Sequence, residues 1–489
     1  MKRIWVCLIV LCLFIMPAFS NGQNDSEDGP VTLKILTDMN PDDDMNVDPV
    51  TALTEELTGF NLVFDKLPDD PTQRTQKLNL LLAAGDDYDL IRLSSIGVAK
   101  ELIPKGFFYE LDDLLAEFGT NILANTSKEW FEPVTLDGKT YAVPIKRTQA
   151  ASIAGSMYRK DIFDKYNLSQ PTTPQEFKDA LIVIRDGEGY TPFTGASGFP
   201  VIDTVSSAFG ICNNAWYDVN GQLVPRVKMP GFVDYLTFMS DLTKEGLFDP
   251  EFAANTDQMV QTKVASGRVA VSFWAWWWWS ANGAVRQNDG AEMAYMKPLL
   301  SDEGEGIAWL WGTTPEWATV IPKSSKKPEE AIKFLDALSD KDTFTKIFLG
   351  EEGVHYNKED GMLMATPQYT AEKGNSWIML MTSNDNLQLA YQQIGQSGED
   401  ENQDVLRTYQ GMKDAADSVA VADPTVSLPP PEINGTYGAS LGSLERDFIL
   451  SVISGVKDIS EYDAFIKQWN KEGGTELVDA WNNIYSSSK

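Results

Sequence analysis

The stretch VTLKILTDMN (31–40) is followed in turn by DPVTALTEELTG (48–59), NLVF (61–64), TQRTQKLNLLLAAG (72–85) and DLIRLSS (89–95). Val31 to Leu36 is a short apolar run that predicts a buried strand ending in the polar segment Thr37 to Asn40. Asp48-Pro49 supplies an N-cap and a first-turn proline for a helix carrying Val50, Leu53 and Leu57, with Gly59 as its stop. Asn61 to Phe64 is a second strand. Thr72 to Ala84 predicts a helix with Leu78, Leu81 and Leu82 on one side, ended by Gly85. Asp89 to Ile91 leads into a third strand that ends at Ser94 and Ser95. Short strands alternating with helices of this length indicate an open α/β sheet. Ligands in such sheets sit beyond the carboxyl ends of the strands, which makes Asp38, Asn40, Arg92, Ser94 and Ser95 pocket candidates.

Further along, Tyr141 to Ile145 predicts a strand containing Pro144, and Ile153 to Tyr158 a strand of a second lobe. Pro174 opens a helix through Ile184, whereas the glycine-rich stretch 187–198 reads as loop. Helices are expected over 232–242 and 256–266. Glu292 to Pro298 approaches a second crossing between lobes, and Thr319 to Pro322 is a strand. SKKPEEAIKFLDALS carries Ile332, Leu335 and Leu338 on one helical face. Beyond Gly350 the pattern weakens to polar loops, a helix around 403–416 and the stiff run Pro429-Pro430-Pro431. Ser460 to Asp463 reads as a capping box before Phe465, Ile466 and Trp469.

The sharpest local feature is FWAWWWWS (273–280), which places five of the 14 tryptophans within six positions. No single strand or helix can aim five such rings into one core, so some face a cleft, an interface or solvent. Indole faces stack on the C–H face of a pyranose while acids and amides take its hydroxyls. Trp274, Trp276 and Trp277 are accordingly ligand candidates. The alternative use for these rings is packing at the junction between lobes. Trp309, Trp311 and Trp317 form a second aromatic concentration open to the same two readings.

The chain has 489 residues, enough for at least two lobes. Its formal net charge of -31 opposes nucleic acid and anionic lipid and favours a soluble monomer. The single histidine, His355, makes multi-histidine metal sites and a Ser-His-Asp triad poor candidates. Asp42 to Asp44 lack the alternation, central glycine and terminal glutamate of an EF-hand and read as a solvated acidic loop. No phosphate loop, dinucleotide fingerprint or nucleophile elbow occurs, so neither a metal nor a cofactor is expected. A glycan hydrolase or lyase would need a positioned carboxylate pair, which no short motif marks out. A structural or adhesive protein, with the aromatic run at a flat interface, is the third possibility. Lys2 and Arg3 before the apolar run Ile4 to Met16, then Pro17 to Ser20, have the form of a signal peptide over 1–20, with a flexible tether over 21–30. Cys7 and Cys12 lie within that run, in a poor position for lipid attachment. Cys212 alone remains, so no disulfide forms within the exported chain.

Four segments in order resemble the extracellular solute-binding proteins of bacterial ABC importers, in particular the large carbohydrate-binding members tied to uronate or complex-glycan uptake. They are LNLLLAAGDDYDL (78–90), YAVPIKRTQAASIAGSMYRKDIFDKYNLSQPTTPQEFKDAL (141–181), VASGRVAVSFWAW (264–276) and WATVIPKSSKKPEEAIKFLDALS (317–339). The resemblance implies an α/β, two-lobe periplasmic-binding-protein fold, type II-like, with hinge strands between the lobes. The first lobe would take 31–145 and 300–355, the second 146–299 and 356–489. It implies reversible solute capture outside the cytoplasm, a sugar-stacking ring at Trp274 or Trp276, and docking on a membrane permease. Arg92 or Arg147 would be available to a uronate carboxylate. Trp277 to Trp279 exceed the family's usual aromatic pair, and the lipobox of many relatives is missing.

Overall fold

The computed structural model describes residues 29–37, 44–68, 71–93, 95–145, 150–151, 154–275, 288, 290–311, 315, 317–359, 362–379, 381, 387, 411–426, 428 and 430–489. In chain order we label strands β1 (Thr32–Thr37), β2 (Asn61–Lys66), β3 (Leu90–Leu93), β4 (Val143–Ile145), β5 (Ala150–Ala151) and β6 (Ala154–Arg159). There follow β7 (Phe193–Gly195), β8 (Val271–Ala275), β9 (Met293–Tyr295), β10 (Ala308–Trp311), β11 (Trp317–Val320) and β12 (Ala420–Val421).

The first sheet has the order β2-β1-β3-β11-β4. β1 runs parallel to β2 and β3, and β11 returns antiparallel to both β3 and β4. The local chemistry explains its helices. Asp48 accepts from the Val50 amide to cap α1 (Pro49–Thr58), and Gly59 closes it at φ 76°, a left-handed conformation that costs a glycine little. The helix α2 (Pro71–Ala84) packs Leu78, Leu81 and Leu82 inward. Ser95 caps α3 (Ile96–Leu102) through the Val98 amide. The first core runs from Leu33 to Ile145 and resumes from Ala318 to Met381.

The second sheet has the order β9-β6-β8-β7, with β6 antiparallel to its neighbours β8 and β9, and β8 parallel to β7. Its core combines residues 162–299 with the C-terminal helices Asn434–Ile453, Tyr462–Trp469 and Thr475–Ser488. A third sheet, β12-β10-β5, is a narrow ribbon beside the passages between the two cores.

Three expectations need correction. The stretch 187–198 is not all loop. Gly187 lies in the helix Pro174–Glu188, Gly189 caps that helix, and Phe193–Gly195 is a buried strand too short to show a period. The C-terminal capping box lies two residues earlier, where Asp458 accepts from Ser460 N and Glu461 accepts from Asp458 N. The expected boundary at 355 places the residues just beyond it in the second lobe, yet Ile378, Met379 and Met381 are buried in the first core. Tyr369 Oη donates to the Phe348 carbonyl at 3.0 Å and Asn375 Nδ2 to Asp48 Oδ2 at 2.7 Å, which fastens this apparently polar segment to the first lobe.

Each core also buries charge. In the second lobe, Arg226 Nε meets Glu445 at 2.8 Å. Asp249 Oδ2 accepts from Thr194 Oγ1 at 2.7 Å, Asn255 Nδ2 at 2.9 Å and Lys263 Nζ at 2.7 Å. Burial pushes the Asp249 carboxyl up, but the bonds from Lys263, Thr194 and Asn255 outweigh it and hold the group below its ordinary range. Such a group adds stability above the unfolded carboxylate pKa of about 3.9 and loses it as pH falls through the lower folded value. Asp249→Asn is expected to cost about 1–3 kcal/mol at pH 7. In urea titrations the gap to the unaltered protein should close below about pH 4, and a gap that is independent of pH would contradict the ionised assignment.

Candidate functional site

β1, β2 and β3 all end at one edge of the first sheet. β4 ends there too, and β11 begins there, since Trp317 pairs with Ile145 and Ala318 with Leu93. The chain therefore leaves for the second lobe and returns from it along the edge at which a ligand of such a sheet is held. Asp38, Ser94 and Arg147 follow directly or within two residues on β1, β3 and β4. With Asn40, Trp276 and Trp277 they lie outside the described residues.

Arg92 is the first candidate whose side chain is placed. It is buried at 6% exposure on β3, and one guanidinium nitrogen donates to the Trp377 carbonyl at 3.0 Å and the Ile378 carbonyl at 2.6 Å. Its guanidinium carbon lies 4.4 Å from the Trp317 ring centre and 5.7 Å from that of Trp377. Both distances fall within the range in which a ring quadrupole attracts a cation. The two indoles are half-buried, packed against the first core. Arg92 therefore joins three pieces of chain distant in sequence: β3, the start of β11 and the segment Ser376–Met379. This arrangement gives Arg92 a bracing role, where the sequence suggested a hand for sugar hydroxyls or a uronate. Trp377 escaped the sequence reading, because a lone tryptophan in GNSWIML carries no periodic or motif signal.

Ser95 is engaged as the cap of α3 and remains half-exposed at the same edge. Trp274 lies near the end of β8 in the second sheet, paired with Gly155 of β6. Trp311 closes β10 in the ribbon, paired with Ala150.

The weaker motifs find structural uses. His355 Nδ1 accepts from Glu351 N at 2.9 Å, so the proton on the other nitrogen points at Glu372, 3.0 Å away. Asp44 accepts from the Asn46 amide and side chain, both at 3.0 Å, as a cap. Among the described residues no three acidic, histidine or cysteine groups converge to hold a metal. Cys212 is buried and unpaired, its thiol pushed up to about 12 by burial with Asp203 nearby.

Two α/β cores, a ribbon on the passages between them and a sheet edge that carries Trp317 and Trp377 define a periplasmic-binding-protein fold. Residues 48–343, more than half of the chain, match the model of the bacterial extracellular solute-binding proteins, and the chain belongs to that family. It is similar over its full length to Lipoprotein LipO of Bacillus subtilis, at 25% identity over 99% of that protein. The polygalacturonan/rhamnogalacturonan-binding protein YtcQ of the same organism is 22% identical, again over the whole chain and 99% of YtcQ. The crystal structure of the alginate-binding protein AlgQ2 superposes with a TM-score of 0.70 at 18% identity, covering 94% of this chain and 98% of that one. The protein is thus an extracytoplasmic receptor that takes up a solute reversibly, not a catalyst. Membership implies an ABC permease as its partner.

Replacing Arg92 by methionine should strip two carbonyls of their donor and free both indoles. We expect a loss of about 2–3 kcal/mol in denaturant unfolding and a red-shifted tryptophan emission. Arg92→Lys should restore little, because an ammonium cannot stack as a plane while bonding two acceptors. Full recovery with lysine would reduce the role of Arg92 to its charge.

Proposed function

We propose that the solute is an oligosaccharide bearing sugar acids, held between the lobes and handed to the permease. The observation that carries this reading is the pair Trp317 and Trp377, braced by Arg92 at the ligand edge of the first sheet. Trp274 stands near the end of β8 in the second sheet, with Trp276 to Trp279 next in sequence, and we assign these indoles to the other side of the solute, where ring faces suit the C–H faces of successive pyranoses. Each Å² of apolar area withdrawn from water contributes roughly 25 cal/mol. Affinity then depends on the hydroxyls, since each one left unmet costs about 1–3 kcal/mol. Asp38, Asn40, Ser94 and Ser95 are our assignments for those contacts, with Trp311 and Trp277 flanking, and Arg147 is the residue left to meet a carboxylate. The names of YtcQ and AlgQ2, which specify polygalacturonan, rhamnogalacturonan and alginate, favour an acidic glycan.

The solute touches both lobes only when they approach, so binding shifts the population towards the closed arrangement. We take the lobes to divide near 145 and 310, with the residues up to Met381 in the first lobe. The leader over 1–20 is assigned to export, and the protein acts as a monomer.

Titration of tryptophan fluorescence with oligogalacturonates and with neutral maltodextrins tests the reading. Acidic oligomers should bind, and Trp274→Ala, Trp317→Ala and Trp377→Ala should each weaken binding about tenfold or more, roughly 1.4 kcal/mol. Unchanged affinity in all three variants would remove the stacking assignment. Equal affinity for neutral and acidic oligomers would remove the preference for sugar acids.

A further inference from the structure

Lys100 lies on α3, whose Ala99 and Leu102 are buried in the first core. Its ammonium donates to the Val426 carbonyl at 2.9 Å and to the Leu428 carbonyl at 3.0 Å. Those two carbonyls belong to a segment fastened to the other lobe. Asp423 accepts from the amides of Ala215 at 2.9 Å and Trp216 at 3.1 Å. Asn214 Nδ2 donates to the Val421 carbonyl at 3.2 Å, and Leu428 packs against the second core, of which Trp216 is part. Because α3 opens at the edge where β3 ends, this contact joins the two cores near the strand ends.

The chemistry of the contact is unusual for a half-buried lysine. Among the described residues no carboxylate pairs with it, and burial alone brings the ammonium down to about 8. Two charge-assisted bonds oppose a desolvation cost that a carboxylate partner would have offset more fully. When the lobes part, both carbonyls are lost together and water returns to the ammonium. A contact balanced in this way can be broken and remade, whereas a buried ion pair would tend to lock.

We propose that Lys100 is a reversible latch between the lobes, holding the 423–428 segment against α3 and biasing the receptor towards its closed arrangement. The latch rests on the reading that the lobes close over a solute, but it is independent of which solute that is. Its effect on binding follows from linkage, because whatever stabilises the closed state raises apparent affinity for a ligand that selects it.

The test uses ligand-free protein, with small-angle scattering and amide exchange measured on the unaltered chain and on Lys100→Met, Lys100→Gln and Lys100→Arg. Methionine and glutamine should enlarge the radius of gyration and speed exchange at residues 425–428 about tenfold, while arginine, which can serve two acceptors, should leave both near their original values. Circular dichroism identifies any variant that fails to fold, and the remaining neutral variant then decides. Unchanged scattering would overturn the latch, as would faster exchange without a change in scattering, which would mark Lys100 as a local anchor. A change in scattering beside a failed sugar titration would leave the latch standing and remove only the acidic-glycan reading.

Discussion

Neither core is made from one continuous piece of chain. The first needs Ala318 to Met381 to complete a sheet begun at Thr32, and the second needs the helices after Asn434 to cover a sheet begun at Ala154. The chain must therefore pass repeatedly between the lobes, and the hydrophobic requirement of each core dictates where it does so. The antiparallel return of β11 between β3 and β4 places the outward and returning passages at one edge. The same edge receives the open ends of the parallel strands, so where the chain crosses between the cores follows from the sheet order.

Much of the first lobe could be read from local chemistry. Asp48, Pro49 and Gly59 delimit α1, and Gly85 ends α2, because capping, proline and left-handed glycine act within a few residues. The same holds for the helix Pro328–Ser339, whose apolar face is strongly periodic. What escaped was non-local. Phe193–Gly195 is a strand only because β8 lies beside it. The segment around Trp377 joins the first lobe through Arg92 and Asp48, 285 and 327 positions from their partners. Of the proposed site, Trp274, Trp317 and the strand-end residues are read from composition and sheet logic, but the change in Arg92's role depends on carbonyls whose proximity no spacing announces.

The acidic surface and the buried charges act separately. Exposed carboxylates contribute net charge, solubility and little stability. The buried and half-buried ions hold pieces of chain together within each core. Arg226 with Glu445 ties a helix of the C-terminal group to residues 212–226, Lys263 with Asp249 closes the stretch 249–263 against Thr194 of β7, and Arg92 holds two rings. The Arg226 and Arg92 contacts are short in space and long in sequence, and each fastens the core that contains it.

The ribbon β12-β10-β5 bears on how the two cores are joined. β5 lies on the passage out of the first core, β10 on the passage back to it and β12 on a third stretch of chain, and the three are hydrogen-bonded side by side. A rotation of one core about any one of these passages would load the other two, so they form a single coupling and not three separate tethers.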